Sequence, residues 1–213
     1  MEDVKRWYWE KIGEKAVSAL KKNLFDAQYF HSPEEASKKV IEIAQAYRTI
    51  GAGGSVTVRE LNVLDILEKQ GKVIYDHWRP SLTPEEILNI RRAHLTCDLF
   101  LTGANAITIN GEIVNIDGAG NRVGAMTFGP KKVVILAGIN KIVRDVHEGI
   151  RRIHEFASPL NCKRLGIKSP CGETGLCNDC ESPNRACRIV LILKRKPMLT
   201  DISVYIIGKE MGF

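Results

Sequence analysis

LFLTGANAITINGEIVNIDGAGNRVGAMTFGPKKVVILAGINKI, residues 99–142, is the stretch on which the fold turns. Three β-branched runs stand in it: Leu99 to Leu101, Ala106 to Asn115 and Lys132 to Leu136. Short apolar runs bounded by turn residues are the pattern of strands buried on both faces. Inside the middle run, Asn110-Gly111 separates Ala106-Ile107-Thr108 from Glu112-Ile113-Val114. Both residues tolerate the positive φ that a type I′ turn demands, so a hairpin is expected there and the sheet is expected to be mixed.

Outward from this stretch, further runs lie at Lys72 to Tyr75, Arg188 to Leu193 and Ile202 to Ile207. Helices are expected between them: Val58 to Gln70, Pro84 to Cys97 behind the capping box Thr83-Pro84-Glu85-Glu86, and Lys141 to Ala157. Alternation of this kind predicts an α/β fold with a mixed, mainly parallel sheet flanked by helices. Towards the N-terminus, Val4 to Leu20 has helical apolar spacing, and Ser32-Pro33-Glu34-Glu35 caps a helix that runs to Tyr47. Two helices thus precede any strand. Residues 1–48 read as an N-terminal helical extension, and residues 49–213 as the α/β domain, with a cysteine-rich loop at 162–187.

The 213 residues are 44% hydrophobic and 26% charged, the composition of an ordinary globular domain large enough to fold without disulfide staples. No apolar run approaches the roughly 18 residues of a membrane span, and Met1 to Lys11 lacks a signal-peptide block, so a cytoplasmic protein is expected. The net charge of +6 suits acidic metabolites, nucleic acid or an acidic partner without choosing among them. Trp7, Tyr8 and Trp9 offer more aromatic surface than one docking face needs, which points to a homo-oligomer; burial of all three in the core is the alternative.

Two glycine-rich turns stand where strands hand over to helices. Gly51-Ala52-Gly53-Gly54-Ser55 offers backbone N–H groups to an anion, although it is neither a Walker loop nor a dinucleotide fingerprint, and a tight structural turn explains it equally well. Asp117-Gly118-Ala119-Gly120-Asn121-Arg122 sets an acid, an amide and a fixed cation beside further backbone donors, a grouping suited to holding a carboxylate or phosphate. Its plainer reading is a capping Asp117 beside a solvated Arg122.

Cys171, Cys177, Cys180 and Cys187 crowd one loop between Pro170 and Arg188. In a reducing compartment four such thiolates suit an iron–sulfur cluster, with structural zinc as the alternative and metal-free thiols as the third reading. Cys162 is a reserve ligand. His94 and Cys97 share a helix face, either as a metal pair or, more simply, as core; His147 and His154 lie on a face that reads as solvated.

Four motifs carry a resemblance: Leu101-Thr102-Gly103-Ala104-Asn105-Ala106-Ile107-Thr108, Asn115-Ile116-Asp117-Gly118-Ala119-Gly120-Asn121-Arg122-Val123, Phe128-Gly129-Pro130-Lys131-Lys132-Val133 and Ala137-Gly138-Ile139-Asn140-Lys141-Ile142. The chain resembles the LUD-domain (lactate-utilisation) proteins over about Ser32 to Phe213, most closely a short branch with the cysteine-rich segment. The resemblance implies a fold similar to the ribose-phosphate isomerase, glucosamine-phosphate deaminase and coenzyme A transferase group. It also implies a component of organic-acid (lactate-like) oxidation, in assemblies with iron–sulfur proteins. Where many LUD domains have Ala-Glu-Thr-Gly-Thr, this chain has Thr108-Ile109-Asn110-Gly111-Glu112, so chemistry through that glutamate, covalent attack on a thioester included, is not expected.

The expected function is binding of a small anionic organic acid or phosphorylated ligand by Gly51, Gly53, Gly54, Ser55, Asn105, Asp117, Gly118, Gly120, Asn121 and Arg122, in the service of redox metabolism. Arg122 would grip the anion with two parallel hydrogen bonds, and Asp117 would orient the ligand or Arg122. The alternative is a non-enzymatic module in which zinc props up the basic residues Lys163, Arg164, Lys168, Arg185 and Arg188 for nucleic acid or an acidic protein. The lack of interleaved aromatics and of any nucleic-acid motif disfavours nucleic acid.

Overall fold

The computed structural model describes residues 1–213, the side chain of residue 2 excepted. In chain order its elements are α1 (Glu2–Lys22), β1 (Asp26–Phe30), α2 (Pro33–Ala44), β2 (Thr49–Ala52), α3 (Val56–Glu60), α4 (Val63–Lys69), β3 (Val73–Asp76), α5 (Pro84–Ala93), β4 (Leu99–Gly103), β5 (Ala106–Thr108), β6 (Ile113–Asp117), α6 (Asn121–Thr127), β7 (Lys132–Gly138), β8 (Ile142–Val143), α7 (Val146–Arg152), α8 (Ser158–Arg164), α9 (Pro170–Thr174), β9 (Ile189–Leu193) and β10 (Asp201–Ile207). Among the described residues, no helix is long and apolar enough to cross a membrane.

Six strands form one sheet in the order β1-β10-β7-β4-β2-β3, every neighbouring pair parallel. An all-parallel sheet must be covered on both faces, and β7 shows how the sequence arranges that. Its seven residues are all buried. Val133, Ile135 and Ala137 join Ala16 and Leu20 of α1 and Ala125 and Met126 of α6, whereas Val134 and Leu136 join Val40 of α2, Val58 of α3 and Leu67 of α4. The period-2 alternation of a strand thus divides one apolar run between two cores.

The expected antiparallel pair exists, but in a second sheet of order β8-β5-β6-β9. Its hairpin is not the two-residue type I′ turn. Gly111 has φ +80°, Asn110 keeps a negative φ, and Thr108 N–H bonds to Glu112 O (2.9 Å) while Gly111 N–H bonds to Thr108 O (2.9 Å), which is a three-residue loop.

Three other expectations are corrected. A strand does precede the second helix: β1 pairs in parallel with β10 at the sheet edge, so residues 1–48 supply a strand as well as helices. The helix expected over Val58 to Gln70 is two short ones, parted at Leu61 and Asn62, the latter left-handed at φ 54°. The helix expected over Lys141 to Ala157 begins only at Val146, capped by Asp145, because Ile142 and Val143 pair with β5 as β8. That helix also runs further, through a π turn at Ile153–Ala157 into α8. The wide turn lies just before Pro159, which has no N–H to give to the carbonyl four residues back.

Chain direction fixes where a ligand can sit. From β2 the chain crosses outward to β3, and from β4 it leaves towards β7 on the other side. Neighbouring strands whose connections diverge leave a crevice beyond their carboxyl ends, the usual ligand position in open α/β sheets.

Candidate functional site

A cleft of about 880 Å3 opens beyond the ends of β2 and β4. Gly54 and Ser55 line it from the β2 end, Gly103 to Asn105 from the β4 end, and Asp117 to Ala119 from the β6 end. The far wall is the π turn and α8, then the loop from Leu165 to Arg188. Seven basic side chains line it, Arg91, Arg122, Lys141, Arg164, Lys168, Arg185 and Arg188, against one carboxylate, Asp117. A cleft walled in low-dielectric protein concentrates that field on an anion.

Asp117 and Arg122 organise the site. Asp117 Oδ1 accepts from the N–H groups of Ala119 (3.0 Å) and Gly120 (2.8 Å), and its Oδ2 accepts from Arg122 Nε (3.2 Å). The Arg122 guanidinium also donates to Asn115 Oδ1 (3.0 Å), Asn105 Oδ1 (3.0 Å) and the Ile116 carbonyl (2.7 Å). Asn105 and Asn115 close the network through each other's strands, Asn105 N–H bonding to Asn115 Oδ1 and Ile116 N–H to Asn105 Oδ1, both at 3.0 Å. Four of the five guanidinium N–H groups are therefore engaged. A two-bond grip on an anion by Arg122 is corrected on that ground: the residue locks the end of β6 to the end of β4.

Cations with fewer commitments face the cleft opposite. Arg91 has a buried Nε with no hydrogen-bond partner. Arg164 lies over the Trp78 ring at 4.2 Å, and Arg59 over the same ring at 4.9 Å. Arg59 holds Asp76 with both guanidinium nitrogens; burial pulls the Asp76 carboxyl upward, but Arg59 and the Trp78 N–H outweigh it and keep it below its ordinary range. His77, beside them, is pushed down to about 4 by burial first and then by His94 and Arg91, so it faces the cleft as a neutral imidazole.

Lys141 lies at the floor, just past β7 and only 3% exposed. Its Nζ donates to Thr57 Oγ1 at 2.9 Å, and the Thr57 hydroxyl donates in turn to the Met211 carbonyl at 3.3 Å. Among the described residues no carboxylate pairs with it. Burial, then the charges of Arg152 and Arg122, push its ammonium down to about 7, with Glu60 opposing.

The cysteines come together in a second, smaller cavity of about 20 Å3, lined by Cys162, Cys171, Cys177, Cys180 and Cys187 and by His154. Cys187 Sγ donates to Ser158 Oγ (3.2 Å), and Ser169 Oγ lies 3.6 Å from Cys171 Sγ. Burial raises the thiols of Cys162 and Cys187 above the ordinary range. Five thiols and an imidazole are a donor set suited to a soft metal. Among the described residues, however, no three His, Cys, Asp or Glu side chains stand in ligating geometry. Cys97 is elsewhere, 2% exposed, bonded to His94 O and Leu99 O and pushed up to about 12 by burial; with His94 it belongs to the core.

Of the residues expected to bind ligand, Gly54, Ser55, Asn105, Asp117, Gly118, Asn121 and Arg122 line the cleft. Gly51 and Gly53 do not; a side chain there would collide with Cys97 Sγ and Thr102 Oγ1, both at 2.9 Å, so these glycines serve close packing. Gly120 is absent from the wall and caps α6 with φ +87°. Ile109 and Glu112 lie outside the cleft, and Glu112 bonds to Thr108 Oγ1 (3.1 Å). The residues missed from sequence are His77, Trp78, Arg91, Lys141 and His154. Arg164, expected only on a basic surface, lines the cleft as well. The one available signal was Lys141, a lysine closing the apolar run Val133 to Ile139.

Two comparisons bear on this geometry. The fold is that of a DUF162 (LUD-domain) family protein from Deinococcus radiodurans, a crystal structure to which the chain is similar with a TM-score of 0.54 and 15% identity, over 94% of this chain and 98% of that one. No curated protein is similar enough to count as a match. The family model described as LUD domain matches residues 13–207, which takes in α1's second half, both sheets, the cleft and the cysteine loop. This protein belongs to the LUD-domain family.

Proposed function

We propose that the protein binds a small anionic organic acid or phosphorylated ligand in the cleft between β2 and β4, as a component of redox metabolism of the lactate-utilisation kind. The observation that carries the reading is the excess of seven basic side chains over one carboxylate, itself neutralised by Arg122, around a cleft at the sheet's switch point. Arg91 and Arg164, on α5 and α8, supply the charge for the ligand; Gly54, Ser55 and the 103–105 segment shape the opposite wall. Family membership supports the metabolic setting.

The cysteine loop is, in the same proposal, the place of a metal centre held by Cys171, Cys177, Cys180 and Cys187, with Cys162 now a full candidate because it lines the same cavity. An iron–sulfur cluster there would supply electron transfer to a partner iron–sulfur protein. The cavity's volume, room for about one water-sized atom, favours the alternative of a single zinc ion. The non-enzymatic reading retains this one support.

A melting-temperature screen of hydroxy acids, oxo acids, sugar phosphates, nucleotides and coenzyme A tests the cleft. At least one class is expected to raise the melting temperature by several degrees, as occupancy well above Kd does. Arg91→Ala is expected to weaken that ligand about tenfold or more while leaving the free protein's melting temperature within about a degree. Equal shifts in both proteins would remove Arg91, and silence across all classes would remove the reading.

A further inference from the structure

We propose that the Lys141 amine is a nucleophile that forms an imine with a 2-oxo acid held in the cleft; this rests on the anion-binding reading above and names its substrate class.

Position comes first. Lys141 is the one lysine at the floor of the cleft, reached from β7 by a single turn of 3-10 helix, Ile139–Lys141. Its stem is buried, so the amine is held in place instead of sweeping through solvent. The hydrogen bonds around it have one direction. Thr57 spends its own proton on the Met211 carbonyl, so towards Lys141 it acts as an acceptor, and the amine keeps its lone pair clear of that contact. Among the described residues no carboxylate holds the group as an ammonium. The charges that face it are Arg122 from α6, Arg152 from α7 and Glu60 from α3, two cations against one anion. Arg152 is fixed by the Asn105 and Asn140 carbonyls and Glu60 by the Gly212 N–H, so neither is at liberty to neutralise the other near the amine. Burial beside fixed cations is the environment that leaves a lysine neutral and nucleophilic near neutral pH.

A neutral amine in a cationic cleft selects the substrate. The cations require an anion, and the amine requires a carbonyl carbon. Arg91 and Arg164, the less committed cations, line the same cleft as the amine, so one small molecule must carry both the anionic group and the carbonyl, and a 2-oxo acid is the shortest that does. In the reaction the Nζ lone pair forms a C–N bond to the keto carbon, the C=O π pair moves to oxygen, and the amine proton passes to that oxygen. Loss of water from the carbinolamine then leaves the C=N bond. No oxidant or reductant is consumed.

Trapping tests it. The protein is incubated with pyruvate and cyanoborohydride, and the intact mass and peptide map are read. The expected result is one adduct, heavier by pyruvic acid less one oxygen atom, at Lys141, formed at least about tenfold faster at neutral pH than at any other lysine. Its rate should rise with pH to a plateau a little above 7, whereas surface lysines continue to rise towards 10. Lactate, which has no keto carbonyl, should give no adduct and should slow the one from pyruvate. Lys141→Arg should remove the adduct, and the map of the wild-type protein decides the matter even if that variant does not fold. If pyruvate and lactate both raise the melting temperature and Lys141 stays unlabelled, the cleft reading stands and the imine is overturned. If neither acid binds and nothing is trapped, the imine and its substrate class are overturned, and the cleft reading is decided by the wider ligand screen. An adduct from sugar phosphates alone overturns the substrate class.

Discussion

Lys141 and Arg122 carry the same charge at neutral pH in water and do different things in this fold. Arg122 donates to four acceptors, on Asp117, Asn105, Asn115 and the Ile116 carbonyl; Lys141 donates to one hydroxyl and feels the charges of Arg152 and Arg122. The contrast has a consequence for stability. The Lys141 pKa is near 7 in the folded protein and 10.5 when unfolded, so between those values the unfolded chain binds more protons. Stability therefore rises with pH through that window, and it is lost as pH falls towards 7. Lys141→Met keeps the stem and removes the titration. It should be more stable than the wild type at pH 6 by up to a few kcal/mol, since each tenfold difference in proton affinity between the two states is worth about 1.4 kcal/mol, with the advantage fading by pH 10. Denaturant titrations of both proteins at pH 6, 8 and 10 read it, and a constant difference across the series would mean that Lys141 titrates as an ordinary surface lysine.

Elements differ in how far their sequences announce them. The runs that became β4, β7 and β10 are buried on both faces, so their apolar pattern is continuous and their assignment follows from it. β1, Asp-Ala-Gln-Tyr-Phe, is an edge strand with one fully buried residue, Ala27, and such a strand has almost no pattern to read. The hairpin was legible through Gly111, but its loop length was set by something distant. A side chain at Gly111 would stand 2.5 Å from the backbone carbon of Ala19, and Asn23 Nδ2 donates to the carbonyls of Asn110 and Gly111, both at 2.9 Å. The hairpin is thus shaped to the end of α1. Gly111→Ala combines a left-handed backbone with a collision against backbone atoms that cannot yield, and should cost at least about 2–3 kcal/mol. In a chain of this length that lowers the melting temperature by roughly 5–10 °C. Gly71→Ala, at φ +82° in open space, is the control, with only the backbone strain to bear. Equal losses in the two variants would show that contact with α1 contributes nothing.

At the scale of the whole molecule, the cleft is built from parts far apart in the chain, which is why only its loop side, Gly54, Ser55, Asn105 and the Asp117–Arg122 turn, was legible: Trp78, Arg91, Lys141 and Arg164 meet only after the two sheets pack. The cysteine loop is anchored at its start, where α9 packs on α8, and loosely beyond it. It reaches the cleft with Lys168, Arg185 and Arg188, yet it meets the second sheet through few contacts: Arg188 N–H to the Asp117 carbonyl (3.0 Å), Gly118 against the Ala186 carbonyl, and the Cys187 side chain against the small core. Ser169, Cys171 and Gly172 are buried against α8, but the segment from Glu173 to Ala186 has no buried residue, and such a segment opens at low cost unless something else holds it. A metal bound by the thiols would hold it by mass action, and with it the basic residues that complete the cleft. Protein prepared without oxygen is therefore expected to carry tightly held metal, coloured if iron–sulfur and colourless if zinc. Its removal with a chelator should weaken the cleft's anion about tenfold or more. Far-UV circular dichroism should stay nearly unchanged, because the six-stranded sheet takes none of its residues from the loop. Cys171→Ser in the untreated protein should reproduce the loss. Metal-free protein that binds the anion as tightly as the metal-loaded form would separate the two cavities, leaving the thiols without a part in the cleft.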